Sequence, residues 1–173
     1  MKRAYFFLVF LILMLNSCKS IDTGSNPDNL CTTSTVLTVK GTSMEPLIKQ
    51  GENITNYPDY YICNDVERND IVLYRFAGNK NLILKRVKAI PGDKFELKGE
   101  LILINNKPLK NSEGKLYNIS QKMLQNYANS YPVIPKDTYL LLGEKAYGSL
   151  DSSHFGLVSK KDLRGKVEMN IKK

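Results

Sequence analysis

The chain has 173 residues, of which 42% are hydrophobic and 24% charged, and its formal net charge is +8. This length fits one domain with a real core, and the composition excludes an intrinsically disordered chain. Nucleic acid is not predicted as a partner, because the lysines are scattered through predicted strands and no basic run is interleaved with aromatic residues. A basic surface facing anionic lipid and an ordinary basic soluble protein both remain compatible with the charge.

The first residues have the form of an export signal. Lys2 and Arg3 precede an apolar run from Ala4 to Leu15, which as a helix would span only about 18 Å of the roughly 30 Å hydrocarbon core. The run ends in Leu-Asn-Ser-Cys at 15–18, which resembles the lipobox of bacterial lipoproteins despite a large polar residue in its second position. We therefore predict a lipoprotein-type signal at 1–17 and lipidation at Cys18, with an ordinary cleaved signal or a frayed anchor as alternatives.

Residues 18–34 are polar and rich in small residues, which is typical of a flexible tether. If Cys18 carries lipid, Cys31 and Cys63 remain as an even pair in an oxidising compartment, where a disulfide is allowed. Two free thiols are the alternative. The three dispersed cysteines and the single histidine lack the spacing of metal ligands, so neither a metal nor a cofactor is predicted.

Residues 35–173 are predicted to form one mainly β domain. Strands are predicted at 35–40, 71–74, 82–90, 94–97, 100–104, 139–142 and 166–171. One helix is predicted at 116–131, where Leu116, Ile119, Met123 and Tyr127 recur every three or four residues. Many short strands interrupted by one helix indicate an antiparallel β-sheet or a partly open barrel with a short helical insertion.

Two polar residues stand out against this pattern. Ser43 lies where the first strand ends and the chain turns toward Pro46, and a serine hydroxyl is a poor nucleophile unless a base lies within reach. Lys85 lies inside the strand at 82–90. Alternation along that strand gives Lys85 three apolar neighbours on its face, Ile83, Val87 and Ala89. Burial there is predicted to lower the pKa of Lys85.

Four blocks carry a resemblance to a known family. They are Gly41-Thr42-Ser43-Met44-Glu45-Pro46, Asn69-Asp70-Ile71-Val72, Lys85-Arg86-Val87 through Pro91-Gly92-Asp93, and Gly143 with Ser149-Leu150-Asp151-Ser152 and Gly156. In this order they resemble the bacterial type I signal peptidases, over most of residues 36–168. The resemblance implies a membrane-associated serine endopeptidase that removes signal or leader peptides from exported precursors.

The resemblance also implies a role for individual residues. Ser43 would be the nucleophile and Lys85 the general base, since a neutral lysine amine can take the serine proton. Ser149 would orient the lysine and Asp151 would support it. Substrate binding and the oxyanion site would involve Gly41, Thr42, Met44 and Pro46. The implied partners are exported polypeptides with small residues before the cut, at the extracytoplasmic face of a membrane that Cys18 would engage through its lipid.

The last block departs from the family pattern. Gly143-Glu144-Lys145-Ala146 replaces the usual Gly-Asp-Asn-Arg, and Ser153 replaces an arginine that commonly follows the Asp-Ser pair. We expect Glu144 to be able to pair with Arg86, whereas the partner of Asp151 stays open. The insertion before this block is short, as in the compact peptidases of conjugative transfer systems that process pilin-type substrates.

Three other interpretations stay open at this point. A LexA-like self-cleaving regulator shares the Ser/Lys dyad, although the export signal argues against a cytoplasmic regulator. An inactive surface lipoprotein with the same fold would account for the altered last block, although Ser43, Lys85 and Ser149 are retained. A triad of His154 with Asp151 is disfavoured, because a histidine three residues beyond an acid in a loop is typically a surface residue.

Overall fold

The computed structural model describes residues 31–76, 81–117, 122–145 and 148–170. Ten strands run through these residues: β1 (Thr35–Thr38), β2 (Asn53–Tyr57), β3 (Ile71–Arg75), β4 (Leu82–Ala89), β5 (Phe95–Lys98), β6 (Leu101–Ile104), β7 (Lys107–Pro108), β8 (Thr138–Leu142), β9 (Val158–Ser159) and β10 (Leu163–Met169). Three helices, α1 (Tyr60–Cys63), α2 (Lys122–Ser130) and α3 (Ser152–Phe155), and a 3-10 turn at Lys160–Asp162 complete the described elements. The mainly β prediction is confirmed.

The strands form two antiparallel sheets. The large sheet has seven strands in the order β1-β2-β10-β3-β4-β8-β9, and the small sheet has three in the order β5-β6-β7. In the large sheet β1 and β9 are the edges, and they do not pair with each other, so among the described residues the sheet is open. Strand β4 lies between β3 and β8, which places a side chain in its interior far from either edge.

Both faces of the central strands are covered. Along β3, Val72 and Tyr74 join one apolar cluster, whereas Ile71 and Leu73 join another. An unbroken apolar run of this kind is expected for a strand that is buried on both sides. A third cluster packs α2 and the small sheet against β8, through Phe95, Ile102, Leu124, Ala128, Leu140 and Leu142.

The predicted helix at 116–131 begins too early. Helix α2 spans Lys122–Ser130, whereas Leu116 forms an isolated antiparallel bridge with Lys110. A tight turn at Gly114, with a φ of +78°, brings these two residues together. Leu116 therefore fits the helical spacing of apolar residues by coincidence and is not part of the helix. Residues 118–121 lie outside the described residues.

Other boundaries also differ from the predictions. The alternation predicted along β4 fails at its end, because the register against β8 shifts between Val87 and Ala89 and places these two residues in different clusters. Strand β1 ends earlier than predicted, and β10 begins at Leu163. Helices α1 and α3 were not predicted, because four residues are too few to show a helical period.

The amino end of the described chain is fixed covalently. Cys31 and Cys63 form a disulfide, with their Cα atoms 6.2 Å apart, which confirms the predicted pairing. The bond ties the segment that enters β1 to the end of α1. Cys18 and the predicted signal and tether up to residue 30 lie outside the described residues. Among the described residues, no helix has the length and apolar character needed to cross a bilayer.

The disulfide is expected to contribute to stability. Replacing both Cys31 and Cys63 with serine should lower the free energy of unfolding by about 3 kcal/mol, because the crosslink restricts the unfolded chain. Urea unfolding of wild type and of the double variant, each with and without reductant, measures the difference. Reductant should shift the wild-type midpoint alone. An oxidised wild type that unfolds at the same urea concentration as the double variant would contradict this expectation.

Candidate active site

The turn that carries Ser43 is held at both ends. Before it, Val39 exchanges backbone hydrogen bonds with the 51–52 turn, and after it the Ile48 N–H donates to the Met44 carbonyl. Met44 and Ile48 are buried in the cluster beneath the turn. Gly41 has a φ of +93°, a conformation that favours glycine, and it turns the chain out of the β1 direction. Ser43 therefore sits on a fixed turn, as predicted.

The second residue, Lys85, reaches this turn from the middle of the large sheet. It pairs with Val72 of β3 and is only 2% exposed. Its Nζ atom lies 2.6 Å from Ser43 Oγ and donates to the Leu84 carbonyl at 2.8 Å. A serine hydroxyl and a buried amine are thus within hydrogen-bond distance, which is the contact that a nucleophile and its base require.

Burial changes the charge state of this lysine. Loss of solvent lowers the pKa of Lys85 to about 8, although the nearby Asp151 carboxylate acts in the opposite sense. The lowered pKa agrees with the direction predicted from the strand alternation. With a pKa near 8, roughly a tenth of the amine is neutral at pH 7, compared with less than a thousandth for an exposed lysine.

Asp151 is satisfied by hydrogen bonds rather than by an ion pair. Its Oδ2 atom accepts from the Gly143 N–H at 2.9 Å, and its Oδ1 atom accepts from the Ser153 N–H at 3.0 Å and from Ser153 Oγ at 2.7 Å. The partner of Asp151 that the sequence left open is therefore Ser153, the residue that stands in place of the family's arginine.

Ser149 lies at the site without the contact predicted for it. The residue is 5% exposed, and its Oγ atom has no hydrogen-bond partner among the described residues, so the expected hydrogen bond to Lys85 is not formed in this structure. Ser149 packs instead against Gly143. A Cβ atom at Gly143 would collide with the Ser149 side chain and would approach the Ser43 carbonyl to 2.7 Å. A residue without a side chain is required at position 143.

The residues after β8 bind the nucleophile turn through their backbone. The N–H groups of Glu144 and Lys145 both donate to the Ser43 carbonyl, at 2.9 and 3.1 Å. The Lys145 side chain adds a hydrogen bond from Nζ to Thr42 Oγ1 at 2.7 Å. The altered last block therefore still holds the Ser43 turn, because two of these three contacts use backbone atoms that any sequence supplies.

The Glu144 carboxylate is fully buried and bonded to several donors. Arg86 lies 3.2 Å from Oε1 and Lys88 lies 3.1 Å from it, while the Ser112 N–H donates to Oε2 at 2.6 Å. Burial by itself raises the pKa of Glu144, but these donors outweigh burial and the pKa is lowered. The expected pairing with Arg86 is confirmed. Lys88 and Ser112 were not predicted, because only the β4 bulge and a distant loop bring them here.

Three clefts surround the Ser43 turn. The cleft that contains the Ser43 and Lys85 side chains has a volume of about 220 Å³, and Gly41, Met44, Leu84 and Leu150 also line it. It adjoins a trough of about 720 Å³ along β1, with which it shares Val39, Lys40, Leu82 and Leu84. A cleft of about 660 Å³ lies beyond the turn, beside Glu45, Pro46 and Lys145. Open grooves lead away from Ser43 in more than one direction.

Other candidate chemistry is not assembled in the described part of the chain. His154 is exposed and its Nδ1 atom contacts Ser153 Oγ at 3.0 Å, so a triad with Ser43 is not formed there. The described residues include no group of three or more histidine, cysteine, aspartate or glutamate side chains placed to hold a metal ion. The chemistry that this arrangement offers is attack by a serine hydroxyl with an amine as its base.

This chain is similar in sequence to known proteins over most of its length. A family model described as signal peptidase, peptidase S26, matches residues 30–171. Signal peptidase IB of Staphylococcus aureus is 34% identical over 150 residues, which cover 79% of this chain and 77% of that protein. Signal peptidase I P of Bacillus subtilis subsp. natto is 28% identical over 138 residues, which cover 76% and 73%. A solved signal peptidase I of Enterococcus faecalis V583 aligns with a TM-score of 0.47 and 22% identity, over 61% of this chain and 98% of that one.

The family match includes all the elements of the site. Residues 30–171 contain the Ser43 turn, strand β4 with Lys85, and the segment from Gly143 to Asp151. The match covers well over half of the chain, and the resemblance drawn from the four sequence blocks is confirmed. The chain belongs to the signal peptidase family, peptidase S26, and is a serine endopeptidase of the signal peptidase I type.

Proposed function

We propose that this protein removes signal or leader peptides from exported precursors by means of a Ser43–Lys85 dyad. The observation that carries the proposal is the 2.6 Å distance between Ser43 Oγ and a lysine amine that is 2% exposed. Neutral Lys85 takes the Ser43 proton as Oγ attacks the scissile carbonyl. The protonated amine then gives that proton to the leaving amine, which leaves an acyl-enzyme. Lys85 next activates the water that hydrolyses the acyl-enzyme and frees Ser43.

The negative charge that develops on the carbonyl oxygen needs a donor. We assign this role to the Ser43 backbone N–H, because Ser43 lines the cleft and its own N–H is the donor nearest in the chain to the attacking hydroxyl. Gly41 has no hydroxyl to assist, so the backbone donor carries more of the stabilisation here than in family members with a serine at that position. Thr42, Met44 and Pro46 contribute by fixing the turn: Met44 is buried beneath it, and Thr42 accepts a hydrogen bond from Lys145.

The residues before the cut are assigned to the trough along β1. Among the described residues this strand is an edge of the large sheet, with one side of its backbone unpaired, and an extended peptide can pair with that side. An extended peptide points alternate side chains at the floor of the trough, and the one next to the scissile bond enters the cleft at Ser43. As the signal peptidase family implies, we assign as substrates exported polypeptides with small residues immediately before the cleavage site. We assign no nucleic-acid partner, because no basic run is interleaved with aromatic residues.

The protein is assigned to the extracytoplasmic face of a membrane. The export signal at 1–17 would carry it there, lipid on Cys18 would anchor it, and residues 18–34 would span the distance to the catalytic domain at 35–173. The disulfide between Cys31 and Cys63 supports an oxidising compartment, because such bonds persist outside the reducing cytoplasm.

The dyad is tested first through its dependence on pH. Because catalysis requires neutral Lys85, kcat/KM should rise about tenfold per pH unit below the Lys85 pKa of about 8 and should level off above it. Ser43→Ala should abolish cleavage, and Lys85→Arg should lower kcat/KM by roughly a thousandfold or more, because arginine stays protonated. Rates are measured on purified exported precursors, with mass spectrometry to locate the cut.

Lys98→Arg is the matched control, because Lys98 is exposed on β5 in the small sheet and lines none of the three clefts at the Ser43 turn. Its rates and its pH profile should be those of wild type. Substantial cleavage by Lys85→Arg at any pH would remove lysine as the base and refute the dyad.

Ser149 should affect catalysis more than stability. Ser149→Ala should lower kcat roughly a hundredfold if the hydroxyl orients the Lys85 amine during the reaction. It should leave the unfolding midpoint unchanged or slightly raised, because the buried hydroxyl has no hydrogen-bond partner in the described part of the chain. Ser152→Ala should instead lower the unfolding midpoint and leave kcat per folded molecule unchanged, because the Ser152 Oγ accepts a hydrogen bond from the buried Leu141 N–H. An unchanged kcat in Ser149→Ala would show that the hydroxyl does not act on the amine.

Cys18 should carry lipid. Wild type expressed in bacteria should take up a labelled fatty acid and partition with membranes, whereas Cys18→Ser should do neither. The export signal is the same in both proteins, so a difference between them reports on the anchor alone. Absence of label from the wild-type protein would refute lipidation and leave the cleaved-signal and frayed-anchor alternatives.

A further inference from the structure

The backbone of residues 143–144 depends on contacts from outside the sheet. The β4–β8 ladder ends at the pair Arg86–Leu142, so the following residues have no strand neighbour. Their N–H groups are bonded, Gly143 to the Asp151 carboxylate and Glu144 to the Ser43 carbonyl. Their carbonyl groups need donors as well, because an unpaired buried carbonyl is costly. Those donors come from residues 111–117, the part of the insertion that precedes α2.

Tyr117 supplies the first donor. Its hydroxyl donates to the Gly143 carbonyl at 2.6 Å, and the residue is 2% exposed. Both the backbone and the ring of Tyr117 are held in place. The Tyr117 N–H donates to the Leu109 carbonyl, and Lys88 Nζ lies 5.1 Å from the ring centroid. The hydroxyl is therefore fixed in position before any substrate binds.

Asn111 and Ser112 supply the remaining donors. The Asn111 side-chain amide donates to the Glu144 carbonyl at 3.0 Å, and the Ser112 N–H donates to the Glu144 carboxylate at 2.6 Å. The Asn111 side-chain oxygen in turn accepts from the N–H groups of Glu113 and Lys115, which closes the loop on itself. Asn111 and Ser112 therefore bind Glu144, whose N–H donates to the Ser43 carbonyl. Tyr117 binds the preceding residue, Gly143.

We propose that Tyr117 and Asn111 are positioning residues for the nucleophile. They hold the 143–145 segment, and the N–H groups of Glu144 and Lys145 hold the Ser43 carbonyl, so the position of Ser43 Oγ relative to Lys85 Nζ depends on the insertion. The inference rests on the proposed dyad mechanism. It also gives the insertion a role in the reaction, although neither Tyr117 nor Asn111 lines the cleft that contains Ser43 and Lys85.

The test compares two buried tyrosines in the full-length protein. Tyr117→Phe removes the hydroxyl and keeps the ring beneath Lys88. Tyr74→Phe is the matched control, because Tyr74 is 1% exposed and its hydroxyl has no partner among the described residues. With a peptide that wild type cleaves, Tyr117→Phe should lower kcat about tenfold per folded molecule, with KM and the pH limb near 8 unchanged. Tyr74→Phe should retain the wild-type kcat.

Asn111→Asp is the second variant, and it tests the positioning role independently if Tyr117→Phe does not fold. Aspartate keeps the oxygen that the loop requires and loses the amide donor to Glu144. It should also lower kcat with KM unchanged, and the double variant should lose less than the product of the two single losses, because both act on one segment. A kcat per folded molecule equal to wild type in these variants, with only a lower melting temperature, would overturn the proposal and leave a purely structural role.

A readout without substrate separates this inference from the proposed function. Hydrogen exchange of the Glu144 and Lys145 amides should be faster in Tyr117→Phe than in Tyr74→Phe, because these amides are the ones bonded to the Ser43 carbonyl. Unchanged exchange at both amides would refute the positioning role, whatever the activity. If wild type cleaves no precursor at all, the proposed function fails while the exchange result still stands.

Discussion

The structure depends on keeping one amine out of water. The charged form of a buried lysine is disfavoured, so the site works only while apolar side chains and the Ser43 turn cover Lys85. Lys85 pairs with Val72 of β3 and is only 2% exposed, and the Ser43 hydroxyl lies 2.6 Å from its amine. Only two acceptors, Ser43 Oγ and the Leu84 carbonyl, reach the amine among the described residues. This low number favours the neutral form that a general base must adopt.

The two acids near the site are bonded to other donors. Asp151 accepts three hydrogen bonds from Gly143 and Ser153, and Glu144 is bonded to Arg86, Lys88 and the Ser112 N–H. A carboxylate bonded directly to Lys85 would raise its pKa and keep it protonated. The described structure shows no such contact. Within the described residues, both carboxylates therefore support the backbone around Ser43 and Lys85 without a direct contact to the amine.

The sequence was most informative where the relevant pattern is local. Alternation along a strand places Lys85 among apolar residues, and the Gly41–Pro46 stretch marks the nucleophile turn. It was least informative where distant segments meet. Lys88 reaches Glu144 only because a bulge shifts the register of β4, and Tyr117 reaches Gly143 from a segment that helical periodicity misassigned. A bulge and a tight turn each change which face a residue occupies, and the sequence carries no periodic signal for either.

The replacement of an arginine by Ser153 also affects the pKa of Lys85, which burial lowers and Asp151 raises. A guanidinium beside Asp151 would offset the carboxylate charge, whereas the Ser153 hydroxyl and N–H satisfy its oxygens and leave the charge in place. Asp151 therefore still favours the protonated form of Lys85. Burial must outweigh that effect without help from a second cation. The proposed dyad is consequently more dependent on exclusion of water than on charge compensation. Loosening of the Ser43 turn would then raise the Lys85 pKa as well as misplace the Ser43 hydroxyl.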